Sequence, residues 1–453
     1  MNKFKHDLIL QTIKVFNVIL ISIPVAICCV MYYSRQAGHL LQGENRYLLV
    51  IALYAFLYIV FGRLYEAFAI SVYRGTEIVY GQFLSEIMSN GIIYVVIWLL
   101  AKSTPNVMPL FFVQICQLVE SIIWTAVFQK LYFHVFKPVK MAIIYDQNQE
   151  RQELISEHGL ERKYDVCFSI SVAECLADLS VLNKVDTVFL SGIHSHERNI
   201  ILKYCVLNGK EVLVMPRIGD VIMSGAYPMH VFHRPILKSG RFRGKPEYII
   251  TKRILDIVIS SVALIVLSPF MLVTAIAIKA TDKGPVFYKQ VRLTKNGKKF
   301  EILKFRSMRV DAEKDGVARL STGENDDRIT SVGRIIRKFR IDELPQLINI
   351  LKGDLSICGP RPERPEIAEE YCKEIPEFAL RLQVKAGLTG CAQVYGKYNS
   401  TPYDKLEMDL MYIAHPSIFE DFKIMLATIK ILFVAESTEG VEEGSQTALQ
   451  KKG

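Results

Sequence analysis

The strongest constraint on this chain is the way its apolar residues are clumped. Four apolar stretches, at about 15–33, 47–61, 84–101 and 107–127, crowd into the first third. Each is about the length that a bilayer-spanning helix needs, the second being short. Tyr32, Tyr33, Tyr47 and Tyr58 lie toward stretch ends, as interfacial aromatics do. The first stretch follows Lys3 and Lys5, yet it is too long for a signal peptide and no small-residue cleavage site follows it, so it reads as an anchor. With 51% hydrophobic and 22% charged residues, wholesale disorder is excluded. Long stretches of ordinary soluble-type sequence argue against a polytopic transporter.

Basic residues favour one topology. Lys3, Lys5 and Lys14 precede the first stretch, Arg63 and Arg74 lie in the second loop, and Lys130, Lys137 and Lys140 follow the fourth. The other two loops hold only Arg35, Arg46 and Lys102. This bias places the N-terminus and everything after Lys137 in the cytoplasm. Gln114, Gln117 and Glu120 recur every three residues and share one helix face. With no second intramembrane charge taken as a partner for Glu120, they read as polar glue between helices rather than a transport path.

After Pro138 the pattern changes. Short apolar runs at 141–145, 164–170, 186–190 and 211–215 alternate with helical patterns near 148–158, 171–179 and 195–207. That rhythm predicts a small Rossmann-like parallel α/β domain over about 138–240. The turn after its first strand, Asp146-Gln147-Asn148, lacks the glycines that let backbone approach a pyrophosphate, so a structural or regulatory role is favoured over nucleotide binding. The nine cysteines show no CxxC and no metal-type spacing with histidine; they read as reduced, mostly buried thiols. His194 and His196 flank one serine, too little for a metal site.

Residues 254–278 are apolar enough to span a bilayer, but Ser268-Pro269 interrupts them, Asp256 sits near the entry, and both flanks are basic. Proline removes a helix hydrogen bond and bends the axis. Positive charge on both sides places both ends in the cytoplasm. The pattern predicts a helix broken at Ser268-Pro269 that enters and leaves by the same face, with a kinked fifth span as the alternative.

Residues 283–310 then hold nine basic side chains against one acid, Glu301. Such a segment suits an anionic leaflet or a phosphorylated substrate. Nucleic acid is disfavoured, because the segment is tethered beside a membrane stretch and carries no recognition motif. Phe287, Val291, Phe300 and Ile302 flank Asn296-Gly297, which predicts a hairpin on the membrane surface. Next, Asp342 and Glu343 stand together after the basic run Arg337 to Arg340, with Pro345 in the first turn of a helix that stops near Gly353. Adjacent acids can cap a helix, or can relieve their repulsion by binding a cation or sharing a proton. In Gly359-Pro360-Arg361-Pro362, two prolines clamp one arginine, which suits bidentate phosphate recognition or forms an ordinary rigid turn.

Over about 245–435 the chain resembles the bacterial sugar transferases, the polyprenyl-phosphate glycosyl-1-phosphate transferases, in their large form with an N-terminal four-helix membrane region. The resemblance rests on Lys252-Arg253-x-x-Asp256, Ser268-Pro269, Gly284-Pro285-Val286-Phe287, Lys304-Phe305-Arg306-Ser307-Met308, Arg340 to Gln346, Gly353-Asp354-Leu355-Ser356, Gly359-Pro360-Arg361-Pro362, Lys385 to Gly390 and Asp409-x-x-Tyr412. Leu293-Thr294 stands where members often have a glycine after the Arg292 position, a loop-turn change.

The resemblance implies three parts and a tail: a four-span region 1–137, the α/β domain, and a mostly helical monotopic catalytic domain 245–435 with re-entrant helix 254–278, then a mobile tail 436–453. It implies that Asp342 is the nucleophile on the β-phosphate of a UDP-sugar and that undecaprenyl phosphate then accepts the sugar phosphate. It gives Glu343, with Asp342, the Mg²⁺, or has Glu343 assist proton removal, and gives Arg361, Lys304 and Arg306 the phosphates, with Asp409 a further candidate for metal or nucleotide. It places the chain, multi-pass, in the bacterial plasma membrane with a cytoplasmic catalytic domain, initiating capsule, exopolysaccharide or O-antigen type glycan assembly. A homodimer stays open. Helix 422–435 would lie in the interface with Lys423 and Lys430 snorkelling. The competing readings are a lipid-linked-sugar transporter, which too few crossing segments disfavour, and a non-catalytic scaffold, which the intact Asp342-Glu343 pair disfavours.

Overall fold

The computed structural model describes residues 3–33, 46–101, 104–146, 163–242, 244–309, 328–396 and 401–431, in two compact units that divide between Met215 and Pro216. The expected helix near 148–158 and the acidic tail lie outside the described residues.

The first unit opens with α1 (Lys3–Cys28), α2 (Arg46–Leu64), α3 (Gly75–Leu100) and α4 (Met108–Val135). Three of these, with the first counted as His6–Tyr33, are long and apolar enough to cross a membrane; the apolar part of α2, Leu48–Leu64, is shorter. α3 starts nine residues before the apolar stretch suggests. Its first two-thirds carry Glu77, Gln82, Ser85, Glu86, Ser89 and Asn90, and all of these except Glu77 are buried. Polar side chains that satisfy one another inside a bundle lower hydropathy without ending the helix.

Asn90 donates to Gln114 (2.9 Å) and Gln117 (2.8 Å), and Gln117 donates to the Ile21 carbonyl and the Tyr54 hydroxyl. Glu86, fully buried, accepts from Ser121 (2.6 Å) and Gln114 (3.0 Å). The glue reading of Gln114 and Gln117 therefore has named partners. The expectation that Glu120 is the lone intramembrane acid is corrected, because Glu86 is a second one. Tyr33 and Tyr58 are fully buried, Tyr33 donating to the Asn106 carbonyl at 2.8 Å and Tyr58 to Asn17 at 2.9 Å.

The same unit holds a parallel sheet of β1 (Val139–Tyr145), β2 (Tyr164–Ser171), β3 (Thr187–Ser191) and β4 (Glu211–Val214), ordered β2-β1-β3-β4. α5 (Val172–Ala177) and α6 (Ser195–Leu207) connect the strands, and Ala142, Ile144, Val188, Leu190, Ile201 and Cys205 form the core. The four strands match the four apolar runs to within two residues.

The second unit begins with α7 (Ile218–Ser224), whose Ile218 and Val221 belong to its main core, and the hairpin β5 (Tyr227–Val231) and β6 (Arg234–Lys238). α8 (Pro246–Asp282) follows, 37 residues long. It is not broken at Ser268-Pro269 as expected. Pro269 cannot donate to the Ile265 carbonyl four residues back, but the Ser268 hydroxyl does so at 2.8 Å, so the group freed by proline is satisfied and the helix continues.

Then come β7 (Phe287–Leu293) and β8 (Lys299–Phe305), an antiparallel pair turning through Asn296 (φ 61°) and Gly297 (φ 73°), as the sequence predicts. α9 (Ser331–Lys338), α10 (Gln346–Lys352), β9 (Ser356–Cys358), α11 (Pro365–Glu374), β10 (Gly387–Thr389), α12 (Cys391–Val394), α13 (Pro402–Ala414) and α14 (Ile418–Ile431) complete the unit.

The basic-acidic entry of α8 is spent inside the fold. Arg253 donates to the Ile350 and Leu351 carbonyls (2.7 and 2.8 Å), capping the C-terminus of α10, where exposed carbonyls favour a cation. Asp256, 5% exposed, accepts from the Ser356 hydroxyl (2.9 Å) and the Ile357 N–H (3.0 Å). Lys252 pairs with Asp421 on α14 at 2.9 Å, and Tyr248 and Tyr412 donate to the same carboxylate.

α14 is therefore packed rather than merely laid on an interface. Ile424 is fully buried, and Lys423 lies over the Tyr395 ring at 5.5 Å. The expected end of that helix at 435 lies outside the described residues. Asp256→Ala leaves a buried N–H and hydroxyl without their acceptor and is expected to cost about 1–3 kcal/mol, read as a lower Tm of the detergent-solubilised chain.

Candidate active site

The Asp342-Glu343 pair is set by a sharp reversal. Thr330 caps α9 by accepting the Gly333 N–H at 2.9 Å, and the helix ends at Phe339. Arg340 then takes a left-handed conformation (φ 52°, ψ 24°), a costly one for a residue with a side chain. That turn leads into one 3₁₀ turn, Ile341–Glu343, and Pro345 starts α10, which Gly353 stops at φ 90°. Asp342 is 9% exposed.

Two other segments bring cations to it. Lys304 comes from the end of β8, where Phe305 faces a core with Ile278 and Ile336 while Lys304 faces the acids. Arg361 follows β9 on a loop welded to β10: Gly359 N–H donates to the Thr389 carbonyl and Gly387 N–H to the Pro360 carbonyl, both at 2.9 Å. A Cβ on Gly359 would come within 2.4 Å of the Lys385 carbonyl, so only glycine fits there. Arg292 donates to the Pro362 carbonyl at 3.0 Å and fixes the other side of the loop.

The cations divide unequally between the acids. Lys304 Nζ and Arg361 Nη2 lie 3.1 and 3.3 Å from Glu343 Oε1, and Arg340 Nη1 lies 3.8 Å from Oε2. Burial would raise the Glu343 carboxyl, but Lys304, Arg361 and Arg340 outweigh it and hold the group well below the usual carboxylate range. Among the described residues, none forms an ion pair with Asp342. Burial first, and then the neighbouring Glu343 charge, push Asp342 up to about 6, with Lys304, Arg337 and Arg340 pulling the other way. One acid is a fixed anion neutralised in place. The other is a buried carboxylate that no described cation pairs with.

Arg306 is 7% exposed, and its backbone N–H donates to the Val286 carbonyl. Lys252, Arg253 and Asp256 form the helix attachment described above. Ser268 and Pro269 lie in the exposed middle of α8. Asp409 is not brought to the acid pair. It is 1% exposed, with Arg381 Nη2 2.6 Å from its carboxylate, and Arg381 also reaches Glu363 at 3.5 Å. Sequence reasoning gave no role to Arg340, although it stands three residues before Glu343, where a turn of helix brings side chains together. Arg381 and Asp421 carried no local signal, since their partners are 28 and 169 residues away.

Among the described residues no three His, Cys, Asp or Glu side chains converge as a metal site. Two adjacent carboxylates do fit Mg²⁺, which is usually held by one or two carboxylates together with substrate phosphates and water.

A model of the bacterial sugar transferase family matches residues 247–435. Residues of this chain are 39% identical over 201 positions to an exopolysaccharide production protein PSS of Rhizobium leguminosarum bv. phaseoli, covering 42% of this chain and 98% of that protein. The chain belongs to the bacterial sugar transferase family. It is also 41% identical over 234 residues to a UDP-N-acetylgalactosamine-undecaprenyl-phosphate N-acetylgalactosaminephosphotransferase of Aeromonas hydrophila, covering 51% of this chain and 54% of the relative. With a UDP-glucose:undecaprenyl-phosphate glucose-1-phosphate transferase of Klebsiella pneumoniae it shares 42% identity over 191 residues, 41% of each chain. The matches therefore span about half, or less, of these last two proteins.

Asp409→Ala leaves Arg381 buried opposite a missing partner. It is expected to cost about 3–5 kcal/mol of stability, visible as a fall in Tm, while nucleotide affinity of the folded fraction stays unchanged.

Proposed function

We propose that this chain transfers a sugar 1-phosphate from a UDP-sugar to undecaprenyl phosphate. The observation that carries the reading is the Asp342 carboxylate, without an ion pair among the described residues and next to an acid that holds three cations. An Asp342 oxygen attacks the β-phosphorus of the donor, the bond to the bridging oxygen breaks, and UMP leaves with that electron pair. A phosphate oxygen of undecaprenyl phosphate then attacks the same phosphorus and expels Asp342 as carboxylate, giving the undecaprenyl-diphosphate sugar. Covalent catalysis replaces one difficult transfer with two easier ones. Lys304 and Arg361 neutralise the diphosphate, and the rigid loop holds Arg361 in the orientation that a bidentate contact needs. Asp342 and Glu343 would hold a Mg²⁺ ion, which supplies further neutralisation of phosphate charge. The names of the relatives, which join UDP-sugars with undecaprenyl phosphate, support the substrate classes.

The same reading makes α8 re-entrant. Ile259, Ala263 and Leu264 pack on the main core of the second unit, and Met271, Ala275 and Ile278 pack on a second cluster of that unit with Phe305 and Ile336. The stretch between them exposes Ile265, Val266, Phe270, Leu272 and Val273 at 62–74%. Two halves attached to one body, with a bare apolar middle, suit a helix that is hydrogen-bonded throughout but bent at Pro269, so that it dips into one leaflet and returns. On this reading the site lies beside the lipid phosphate, and the distribution of basic residues favours the cytoplasmic leaflet.

Radiolabelled UDP-sugars, Mg²⁺ and undecaprenyl phosphate are expected to yield a lipid-linked product with at least one sugar, and Asp342→Asn is expected to abolish it; no product with any sugar refutes the assignment. Labelling of single cysteines at the two flanks of α8 is expected from one face of the membrane only.

The reaction needs ionised Asp342, whose proton is held up to about 6. kcat/KM is therefore expected to rise with pH through about 6 and level off above it. Lys304 favours the ionised form, so Lys304→Met is expected to move that limb to higher pH, whatever it does to the plateau.

A further inference from the structure

The cations of this site are on the wrong acid for an ion that must bind there. Glu343 has Lys304 and Arg361 on one oxygen and Arg340 on the other, at 3.1, 3.3 and 3.8 Å. With both acids ionised, two negative and three positive side chains leave the cluster at +1, which repels a divalent cation. Glu343 is only 12% exposed at its side chain, so water offers little screening. Arg340 is kept there by a backbone conformation that a side-chain-bearing residue rarely adopts, and its side chain closes on Glu343 three residues later. Strain that persists is held by its surroundings and points to a role.

We propose that Glu343 is a locked metal site whose key is the donor's own diphosphate. Without nucleotide, Lys304, Arg361 and Arg340 occupy the carboxylate. An arriving diphosphate draws Lys304 and Arg361 onto its oxygens and turns the local charge negative. Glu343 is then released, and the divalent cation enters with or after the nucleotide, never before it. This rests on the functional reading above and adds to it an order of binding and a role for Arg340, which positions Glu343 and touches no substrate. Its use is to keep the dication away from a bare nucleophile, which it would otherwise neutralise.

The test is Mn²⁺ binding by the full chain in nanodiscs, followed by electron paramagnetic resonance, without nucleotide, with UDP and with UMP. UDP, which has a β-phosphate and no sugar to transfer, is expected to tighten protein-bound Mn²⁺ about tenfold or more beyond the affinity of UDP alone, within the usual range of coupling between sites. UMP is expected to do less. Arg340→Met, checked for folding by circular dichroism, is expected to raise Mn²⁺ affinity in the nucleotide-free chain. Lys304→Met, a second variant, is expected to raise it as well while weakening UDP binding, so that the two ligands move in opposite directions. Equal Mn²⁺ affinity with and without UDP overturns the lock and leaves the functional reading standing. So does a folded Arg340→Met or Lys304→Met chain whose nucleotide-free Mn²⁺ affinity is unchanged or lower. A chain that binds no UDP overturns the functional reading and the lock together.

Discussion

A carboxylate proposed to attack phosphorus needs an oxygen that no side-chain cation has claimed. The second unit offers a second carboxylate that takes the cations instead. Glu343 pairs with Lys304, Arg361 and Arg340, and among the described residues none forms an ion pair with Asp342, although both acids share one turn of chain. Much of the surrounding structure serves this division. β8 delivers Lys304, the glycine-tight contact between Gly359 and Gly387 delivers Arg361, and the cap on α9 fixes where the chain reverses.

The acid pair is also tied to the apolar helix. α10 begins three residues after Glu343, and its far end is capped by Arg253 of α8, while Asp256 of α8 grips the strand that leads to Arg361. The apolar segment is thus connected, through at most one short element each way, to both the Asp342-Glu343 turn and the Arg361 loop. Its charged entry, which on sequence grounds reads as membrane-surface contact, is mostly consumed by internal hydrogen bonds. Residues 251–345 carry 19 basic and 11 acidic side chains, +8 of the chain's +9. Part of that excess is structural.

What could be read from the sequence followed the range of the interactions. Short continuous apolar runs marked all four strands of the parallel sheet, and the Asn296-Gly297 turn marked the hairpin, because both are local patterns. The adjacency of Asp342 and Glu343 and the rigid setting of Arg361 were legible for the same reason. The start of α3 lies outside the apolar stretch because its buried polar residues find partners beyond that stretch, Gln82 on the Ala67 carbonyl and Glu86 on Ser121 of α4, a fact no window over α3 can contain. Ser268-Pro269 was read as a break because proline's lost bond is local, whereas the hydroxyl that replaces it depends on a rotamer. Asp409 comes with the family motif Asp409-x-x-Tyr412; that it lies buried against Arg381, 28 residues away, only folding reveals.

The left-handed turn at Arg340 sets a limit on how this site can be improved. Glycine or asparagine would relax the backbone there but remove the charge, while lysine would keep a charge and retain the strain. No encoded residue meets both demands, so a selection for heat tolerance and a selection for turnover should pull this position toward different amino acids. Stability here is on loan to chemistry, and a thermostable variant that has changed this residue is one whose catalytic record should be checked first.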